Sequence, residues 1–220
     1  MIVTIDGPAG SGKSTAARQL AKALKVAYLD SGATYRAATL KALREGADLE
    51  DAAALAALAA SMDLKLTPGP DSLRVELDGQ DVSDAIRSAE VTESVHHIAS
   101  APEVRRVLAA LQRRIAAELG DFVTEGRDQG SAVFPEADVK FYLDAAAEVR
   151  ARRRCEELAA RGERPDYQQV LDAIRRRDRR DRTRTADPLV MPDGAIVVDT
   201  SDSTIAQMTA ELCRHVEALR

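Results

Sequence analysis

One segment near the N-terminus has the residue types and the spacing of a phosphate-binding loop. Residues 7–14 read Gly-Pro-Ala-Gly-Ser-Gly-Lys-Ser, which matches the pattern GxxxxGK[ST]. Such glycines let successive backbone N–H groups converge on phosphate oxygens, and the start of the next helix adds a positive dipole end. Lys13 can reach the terminal phosphates, and the Ser14 hydroxyl can ligate Mg²⁺. The segment predicts a nucleoside triphosphate site formed by Gly7, Pro8, Ala9, Gly10, Ser11, Gly12, Lys13, Ser14 and Thr15. The alternative is a plain glycine-rich turn with a solvated lysine.

A second feature is a dense arginine cluster. Residues 175–184 contain seven arginines and two aspartates, a local net charge of +5 in a chain whose net charge is −5. Arginine binds phosphate bidentately and stays protonated, so the cluster indicates an anionic ligand. Helices that carry it, together with Arg153, are expected to fold over bound nucleotides and exclude water. The alternatives are a solvated helical face and an RNA-binding patch. The negative net charge of the chain and its aromatic content of 3% oppose RNA binding.

Four motifs, in one order along the chain, resemble those of the bacterial cytidylate kinases. Residues 30–36 (DSGATYR) resemble the family's DSGxxYR, and residues 125–138 resemble its (D/E)GRDxGTxVFPxA. Residues 177–184 (RDRRDRTR) resemble its RDxxDxxR lid, and residues 186–189 (ADPL) resemble the segment that follows the lid. The resemblance extends over essentially the whole chain, including residues 63–87, which correspond to the enlarged monophosphate-binding region of the long bacterial type.

The resemblance implies transfer of the γ-phosphoryl group of ATP to CMP or dCMP, with ATP and Mg²⁺ as donor and metal. The attacking phosphate oxygen is already anionic, so the reaction needs positioning and charge neutralisation rather than a general base. Lys13, Arg127, Arg153 and Arg184 are the implied catalytic residues. The resemblance also implies that Ser31, Arg36, Arg127 and Arg184 hold the CMP phosphate, that Arg177 and Asp181 contact the sugar, and that Tyr35 belongs to the same substrate site.

Recognition of the base is expected to rest on Asp128 and Arg105. Cytosine presents an N4 donor beside two acceptors, so a carboxylate and a guanidinium match it, whereas uracil would turn an acceptor toward the carboxylate. His96 stands where the family usually has a cytosine-binding serine, and Ser131 replaces a threonine. The change at His96 bears on how strictly CMP is preferred over UMP or dCMP.

Other P-loop classes fit the sequence less well. A GTPase should carry DxxG and NKxD motifs, and a motor should carry a hydrophobic strand that ends in Asp-Glu; neither is found. The remaining alternatives are a UMP or dTMP kinase, which Asp128 and Arg105 oppose, and a nucleotide-binding regulator without phosphotransfer. A regulator of this kind would not explain why the sequence has a second predicted phosphate site and a predicted lid.

The elements that must position these residues follow from hydrophobic periodicity. Short apolar runs predict strands at residues 1–6, 26–29, 122–125, 139–143 and 196–199. Helical spacing predicts helices at residues 13–24, 34–45, 49–61, 88–100, 102–119, 145–161, 167–183 and 204–219. A turn at residues 67–71, an alternating run at 73–77 and the Asp78-Gly79 pair predict a small antiparallel insert. The fold class is therefore α/β, a three-layer P-loop core with a five-stranded parallel sheet.

Length and composition agree with one such domain. The chain has 220 residues, 45% of them hydrophobic and 30% charged, which excludes a disordered chain. We expect a core at residues 1–62, 95–150 and 185–220, a monophosphate-binding insert at about 63–94 and a lid at about 151–184. The sequence has no apolar run of bilayer length, no signal-like start and two scattered cysteines, which favours a cytoplasmic protein without a membrane partner. The family suggests a monomer that binds only small molecules, with no nucleic-acid partner.

Overall fold

The computed structural model describes residues 1–68 and 73–218. Its strands in chain order are β1 (Ile2–Asp6), β2 (Ala27–Asp30), β3 (Leu64–Pro68), β4 (Leu73–Leu77), β5 (Gln80–Asp81), β6 (Phe122–Glu125), β7 (Val139–Asp144) and β8 (Ile196–Asp199). Its α-helices are α1 (Lys13–Leu24), α2 (Ser31–Arg44), α3 (Ala52–Ala60), α4 (Ala89–Ser100), α5 (Pro102–Ala117), α6 (Ala147–Ala160), α7 (Tyr167–Thr183) and α8 (Ile205–Glu217).

Five strands form the main sheet, in the order β2-β6-β1-β7-β8. β1 pairs in parallel with β7, with Val3 opposite Val139, and β7 pairs in parallel with β8, with Phe141 opposite Ile196. β1 is rich in β-branched residues and its interior is fully buried, as expected of a strand covered on both faces. The sequence-based prediction of a five-stranded parallel α/β fold is confirmed.

The chain divides into two compact units. The first unit comprises Met1–Val26 and Val123–Arg220, and the second comprises Ala27–Phe122. In the first unit α1 packs against α8, and α6 packs against α7. The second unit has a continuous hydrophobic core to which α2, α3, α4 and α5 contribute.

The second unit contains a small antiparallel sheet, as predicted. β3 pairs with β4, with Leu64 opposite Leu77, and β4 pairs with β5. Asp78 and Gly79 connect β4 to β5 with positive φ angles of 50° and 78°, as the hairpin signal indicated. Part of the turn predicted at residues 67–71 lies outside the described residues, as does the predicted end of the last helix at residue 219.

Several predicted boundaries were wrong because capping residues set them. α2 begins at Ser31 rather than at residue 34, because the Asp30 carboxylate accepts a hydrogen bond from Ala33 N. α3 begins at residue 52 rather than 49, since Asp51 caps it. A single π-helical turn at Gln129–Val133 was not predicted at all. Within residues 1–68 and 73–218, no helix combines the length and the apolar character needed to cross a bilayer.

Candidate functional site

The glycine-rich loop of the first unit has the backbone of a phosphate cradle. It connects β1 to α1, and Gly7, Gly10 and Gly12 all have positive φ angles. A Cβ atom on Gly7 would lie 2.0 Å from the Leu143 carbonyl oxygen, so only glycine fits that position. The predicted loop-to-helix arrangement is therefore present, with its N–H groups at the start of α1.

Lys13 is buried at the base of this loop. Its Nζ donates a 2.7 Å hydrogen bond to the Pro8 carbonyl. Burial, with a smaller contribution from Arg127, lowers the pKa of Lys13 to about 7, whereas Glu125 opposes the shift. A polyanionic ligand would supply the negative charge that this ammonium group needs.

Ser14 faces a carboxylate that the sequence analysis missed. Its Oγ donates to Glu125 Oε1 over 2.8 Å, and Glu125 is the last residue of β6. A hydroxyl and a carboxylate at this separation are the hard oxygen donors that Mg²⁺ prefers, so the donor set fits the ion expected at Ser14. Among the residues that the structure describes, no group of three or more His, Cys, Asp or Glu side chains is arranged as a metal site.

Asp6, the last residue of β1, is a second buried carboxylate that was missed. Its two oxygens accept hydrogen bonds from the backbone N–H groups of Gln129, at 2.8 Å, and Gly130, at 2.7 Å. Burial, with a smaller contribution from the nearby Asp128 charge, raises its pKa to about 6. Both missed acids end a strand of the main sheet, and that position was the available signal.

Four of the sequence-predicted acceptor-site residues form a charged network in the first unit. Arg127 Nε lies 2.9 Å from Asp181 Oδ2, and Arg184 Nη2 lies 3.8 Å from Asp128 Oδ1. Burial alone would raise the pKa of Asp181, but Arg127, Arg177 and Arg184 bring it below its ordinary value. The network holds Arg127 and Arg184 beside the carboxylates predicted to bind base and sugar.

Helices α6 and α7, in the region where the lid was predicted, are joined by a further ion pair that the sequence did not reveal. Arg150 of α6 and Asp178 of α7 form two hydrogen bonds, at 3.1 and 2.6 Å, and both side chains are buried. Arg150 also donates to the Ala9 carbonyl of the phosphate loop over 3.0 Å. The Arg150 guanidinium group therefore connects α7 to the phosphate-binding loop at residues 7–14.

Arg153, which was predicted to be catalytic, contacts the segment after β8. It donates to the carbonyls of Thr200 and Ser201, and Thr200 Oγ1 donates to the Ser11 carbonyl over 3.1 Å. Near these helices lies a cavity of 570 Å³. It is lined by Asp144, Ala145, Ala146, Ala147, Arg150, Arg175, Asp178, Arg179, Arg182 and Thr183.

The second unit holds the other predicted acceptor-site residues. Ser31 is buried at the start of α2. Arg36, one and a half turns on, donates to the Ile86 carbonyl over 3.2 Å and to Thr92 Oγ1 over 2.8 Å. Arg105 is 2% exposed, and its guanidinium carbon lies 5.5 Å from the centre of the Tyr35 ring. Arg105 and Tyr35 thus meet in a cation–π contact.

His96 engages its own helix. Its Nδ1 lies 2.6 Å from the Glu93 carbonyl, and its ring centre lies 4.0 Å from that of His97. His97 in turn lies 2.9 Å from a Glu50 carboxylate oxygen. For His96, Nε2 is therefore the ring atom that could meet a base.

Comparison with known proteins gives one consistent family. A family model described as cytidylate kinase matches residues 3–218. A cytidylate kinase of Corynebacterium glutamicum is 48% identical over 218 residues, which cover 99% of this chain and 95% of that protein. A cytidylate kinase of Exiguobacterium sibiricum is 46% identical over 215 residues, which cover 98% of this chain and 96% of that protein.

More distant solved structures share the fold. A shikimate kinase from Bacteroides thetaiotaomicron aligns with a TM-score of 0.50 at 12% identity, over 100% of this chain and 98% of its own. A gluconokinase from Sinorhizobium meliloti aligns with a TM-score of 0.50 at 17% identity, over 99% of this chain and 91% of its own. At these identities the likeness concerns the α/β architecture alone.

Proposed function

Since the chain belongs to the cytidylate kinase family, we propose a division of labour among its residues for the transfer of a phosphoryl group from ATP to CMP. The enzyme is a kinase that converts ATP and CMP to ADP and CDP. The observation that carries the assignment of roles is the charged network of the first unit, where Arg127 and Arg184 lie beside Asp181 and Asp128.

The donor end is assigned to the glycine-rich loop. The backbone N–H groups of the loop at residues 7–15, in which Pro8 has none, would surround the ATP phosphates, and Lys13 would balance charge on the terminal ones. Ser14 would hold Mg²⁺, with the Glu125 carboxylate 2.8 Å from its hydroxyl. When bound, the ion would neutralise part of the charge on the ATP phosphates.

The transfer step needs no proton acceptor. An anionic oxygen of the CMP phosphate attacks the γ-phosphorus, a new P–O bond forms, and the bond to the β–γ bridging oxygen breaks, which releases ADP. The obstacle is repulsion between two anions. Arg127, Arg153 and Arg184, with Lys13, are the cations proposed to offset that repulsion in the transition state.

The acceptor end is assigned by the motifs that match the family. Ser31, Arg36, Arg127 and Arg184 would bind the CMP phosphate. Tyr35 packs on Arg105 with 5.5 Å between the ring centre and the guanidinium carbon, an arrangement that would keep Arg105 in place. Arg177 and Asp181 would contact the ribose.

Cytosine would be recognised by Asp128 and Arg105. Asp128 is 4% exposed and Arg105 is 2% exposed, so each would meet the base with little competition from water. The carboxylate accepts from N4 and the guanidinium donates to the two acceptors of the ring. A uracil base presents an acceptor where cytosine has N4, which disfavours UMP. His96 would add a contact through Nε2.

The remaining assignments also follow from the family resemblance. dCMP is proposed as a second acceptor. Residues 63–94 are proposed as the monophosphate-binding insert and residues 151–184 as the lid. We propose a monomer that acts in the cytoplasm, which size-exclusion chromatography and cell fractionation would check.

The test is an ADP-release assay with ATP, Mg²⁺ and each of CMP, dCMP, UMP, AMP, GMP and dTMP. The expected result is turnover with CMP and dCMP well above that with the other four acceptors. Lys13→Met serves as the inactive control, which excludes a contaminating kinase. Equal turnover with UMP would refute the roles of Asp128 and Arg105, and lack of turnover with every acceptor would refute the enzymatic activity.

A further inference from the structure

The π-helical turn at Gln129–Val133 begins at the residue after Asp128, and its first two N–H groups point into one carboxylate. Asp6 is fully buried, and its Oδ1 and Oδ2 accept from Gln129 N and Gly130 N at 2.8 and 2.7 Å. The contact joins the end of β1 to a segment more than 120 residues away in sequence. Isolated π turns occur often at functional sites.

The turn is seated tightly on β1. A Cβ atom on Gly130 would lie 2.7 Å from Thr4 Oγ1 and 3.3 Å from Asp6 Oδ2, so a larger residue would push the turn away. Thr124 Oγ1 donates to Gln129 Oε1 over 2.9 Å, which holds the turn from β6 as well. Asp128 therefore directly precedes a backbone segment that two strands hold in place.

The choice of a carboxylate at residue 6 is unfavourable for folding. Burial is the main cause that raises the pKa of Asp6 to about 6, with a contribution from the Asp128 charge, whereas the two backbone hydrogen bonds and Lys13 oppose the shift. A buried charge of this kind destabilises the fold, and such local violations of folding rules are expected at functional sites. A carboxylate, unlike an amide, offers two acceptor oxygens, and this position uses both.

We propose that Asp6 is a positioning residue that fixes Asp128 for recognition of the acceptor base. It acts by holding the N–H groups of Gln129 and Gly130, so that the Asp128 carboxylate stays directed at the N4 group of cytosine. The inference rests on the proposed role of Asp128 in base recognition. It assigns the specificity of the enzyme in part to a residue that does not touch the substrate.

The test compares the ratio of kcat/KM for CMP to that for UMP in the full-length enzyme. Both substrates carry the same phosphate, so the ratio cancels any change in donor binding or in phosphate ionisation. In Asp6→Asn one N–H would face an amide NH₂ instead of an acceptor. Loss of one buried hydrogen bond is expected to lower the CMP preference about tenfold or more.

Two further variants make the test specific. Thr4→Val keeps the shape of a neighbouring β1 side chain whose hydroxyl, among the described residues, makes no hydrogen bond. It should retain the wild-type ratio. Gly130→Ala changes the turn itself, at its contact with Thr4 and Asp6, and should lower the ratio as Asp6→Asn does. It decides the matter if Asp6→Asn does not fold.

Each outcome is decisive. A ratio within about twofold of the wild type in both Asp6→Asn and Gly130→Ala overturns the inference, because the hydrogen bonds are then irrelevant to base choice. A change of equal size in Thr4→Val also overturns it, since packing on β1 would then be the cause. Lack of CMP preference in the wild-type enzyme would instead refute the proposed role of Asp128 and, with it, the premise of this inference.

Discussion

Two arginines, the buried Arg150 of the first unit and the half-buried Arg36 of the second, are held by different means. In the first unit Arg150 is paired with the Asp178 carboxylate at 2.6 Å, and both groups are almost completely buried. In the second unit Arg36 donates to the Ile86 carbonyl and to the Thr92 hydroxyl, which are neutral groups. Arg150 is therefore paired with an opposite charge, whereas Arg36 donates to these two uncharged dipolar groups.

This difference predicts at which positions a substitution can change activity without changing the stability of the fold. Removal of one member of a buried ion pair leaves the other charge uncompensated in a poorly polarisable surrounding, which destabilises the fold strongly. Removal of a cation that is held by neutral groups leaves groups that water or neighbours can satisfy. Substitutions in the first unit should therefore affect folding as well as catalysis, and substitutions in the second should affect mainly binding.

The largest expected effect is at Lys13 of the first unit, where we expect activity to be lost without a loss of stability. Lys13 is a buried cation that donates to the Pro8 carbonyl. Lys13→Met should lower kcat/KM about 10³-fold, because a preorganised charge at the transferring group is lost. The thermal midpoint should not fall, since burial already disfavours the charge and lowers its pKa to about 7. Lys22→Met, an exposed change in the same helix, is the control for both measurements. A folded variant with wild-type turnover would remove Lys13 from the mechanism.

The pair Arg150–Asp178 provides the sharpest test of stability. Asp178→Asn should lower the free energy of unfolding by about 3–5 kcal/mol, because it leaves the Arg150 charge buried alone. Urea denaturation followed by circular dichroism measures this loss. Glu148→Gln, in the exposed pair with Arg175, should produce no resolvable change. Equal effects of the two variants would contradict the distinction between buried and exposed pairs.

Asp6 should give the first unit a characteristic pH dependence. Its pKa is raised from 3.8 to about 6, so the folded protein binds the extra proton and becomes less stable as pH rises through that window. Relative to Asp6→Asn, the wild-type free energy of unfolding should decrease by about 2 kcal/mol between pH 4 and pH 7. Urea titrations at both pH values measure the difference, with Thr4→Val expected to follow the wild type. A pH-independent difference would show that the carboxylate carries no burial penalty.

The second unit should show the smallest combined effect. Arg36→Gln should raise the KM for CMP about 10- to 100-fold, which corresponds to the loss of a charge-assisted hydrogen bond to phosphate. The free energy of unfolding should change by less than about 1 kcal/mol, because Arg36 is only half-buried and the Ile86 carbonyl and Thr92 hydroxyl that it contacts are neutral. Arg44→Gln on the same helix, whose Nη1 meets Gln80 over 3.2 Å, is the matched control. If Arg36→Gln unfolded the protein, the expected difference in stability effects between the two units would be contradicted.

Most of the fold was accessible from the sequence because its determinants are local. Apolar runs located the five strands of the main sheet, and helical spacing located the helices to within a few residues. The errors arose where a single cap decides the boundary, as Asp30 does for α2. The π turn was inaccessible because its backbone hydrogen bonds have no counterpart in hydrophobic periodicity.

The candidate site was predictable only in part. Motifs identified most of the residues assigned to phosphates, sugar and base, since each motif is contiguous, whereas Arg105 and His96 lie outside the motifs. Their supports are not contiguous: Asp6 meets residues 123 and 124 positions away, and Ser14 meets Glu125 across 111 positions. Strand-end position could have suggested Asp6 and Glu125. Nothing in the arginine-rich sequence singled out Arg150 as the partner of Asp178, because that choice depends on how α6 and α7 pack.

The most direct test of the account concerns Asp128, on which base recognition and the role of Asp6 both depend. The measurement is the ratio of kcat/KM for CMP to that for UMP, in the wild type and in Asp128→Asn. An amide can donate as well as accept, so the account predicts that the ratio falls about tenfold or more while the enzyme stays folded. An unchanged ratio in a folded, active variant would show that cytosine is recognised elsewhere.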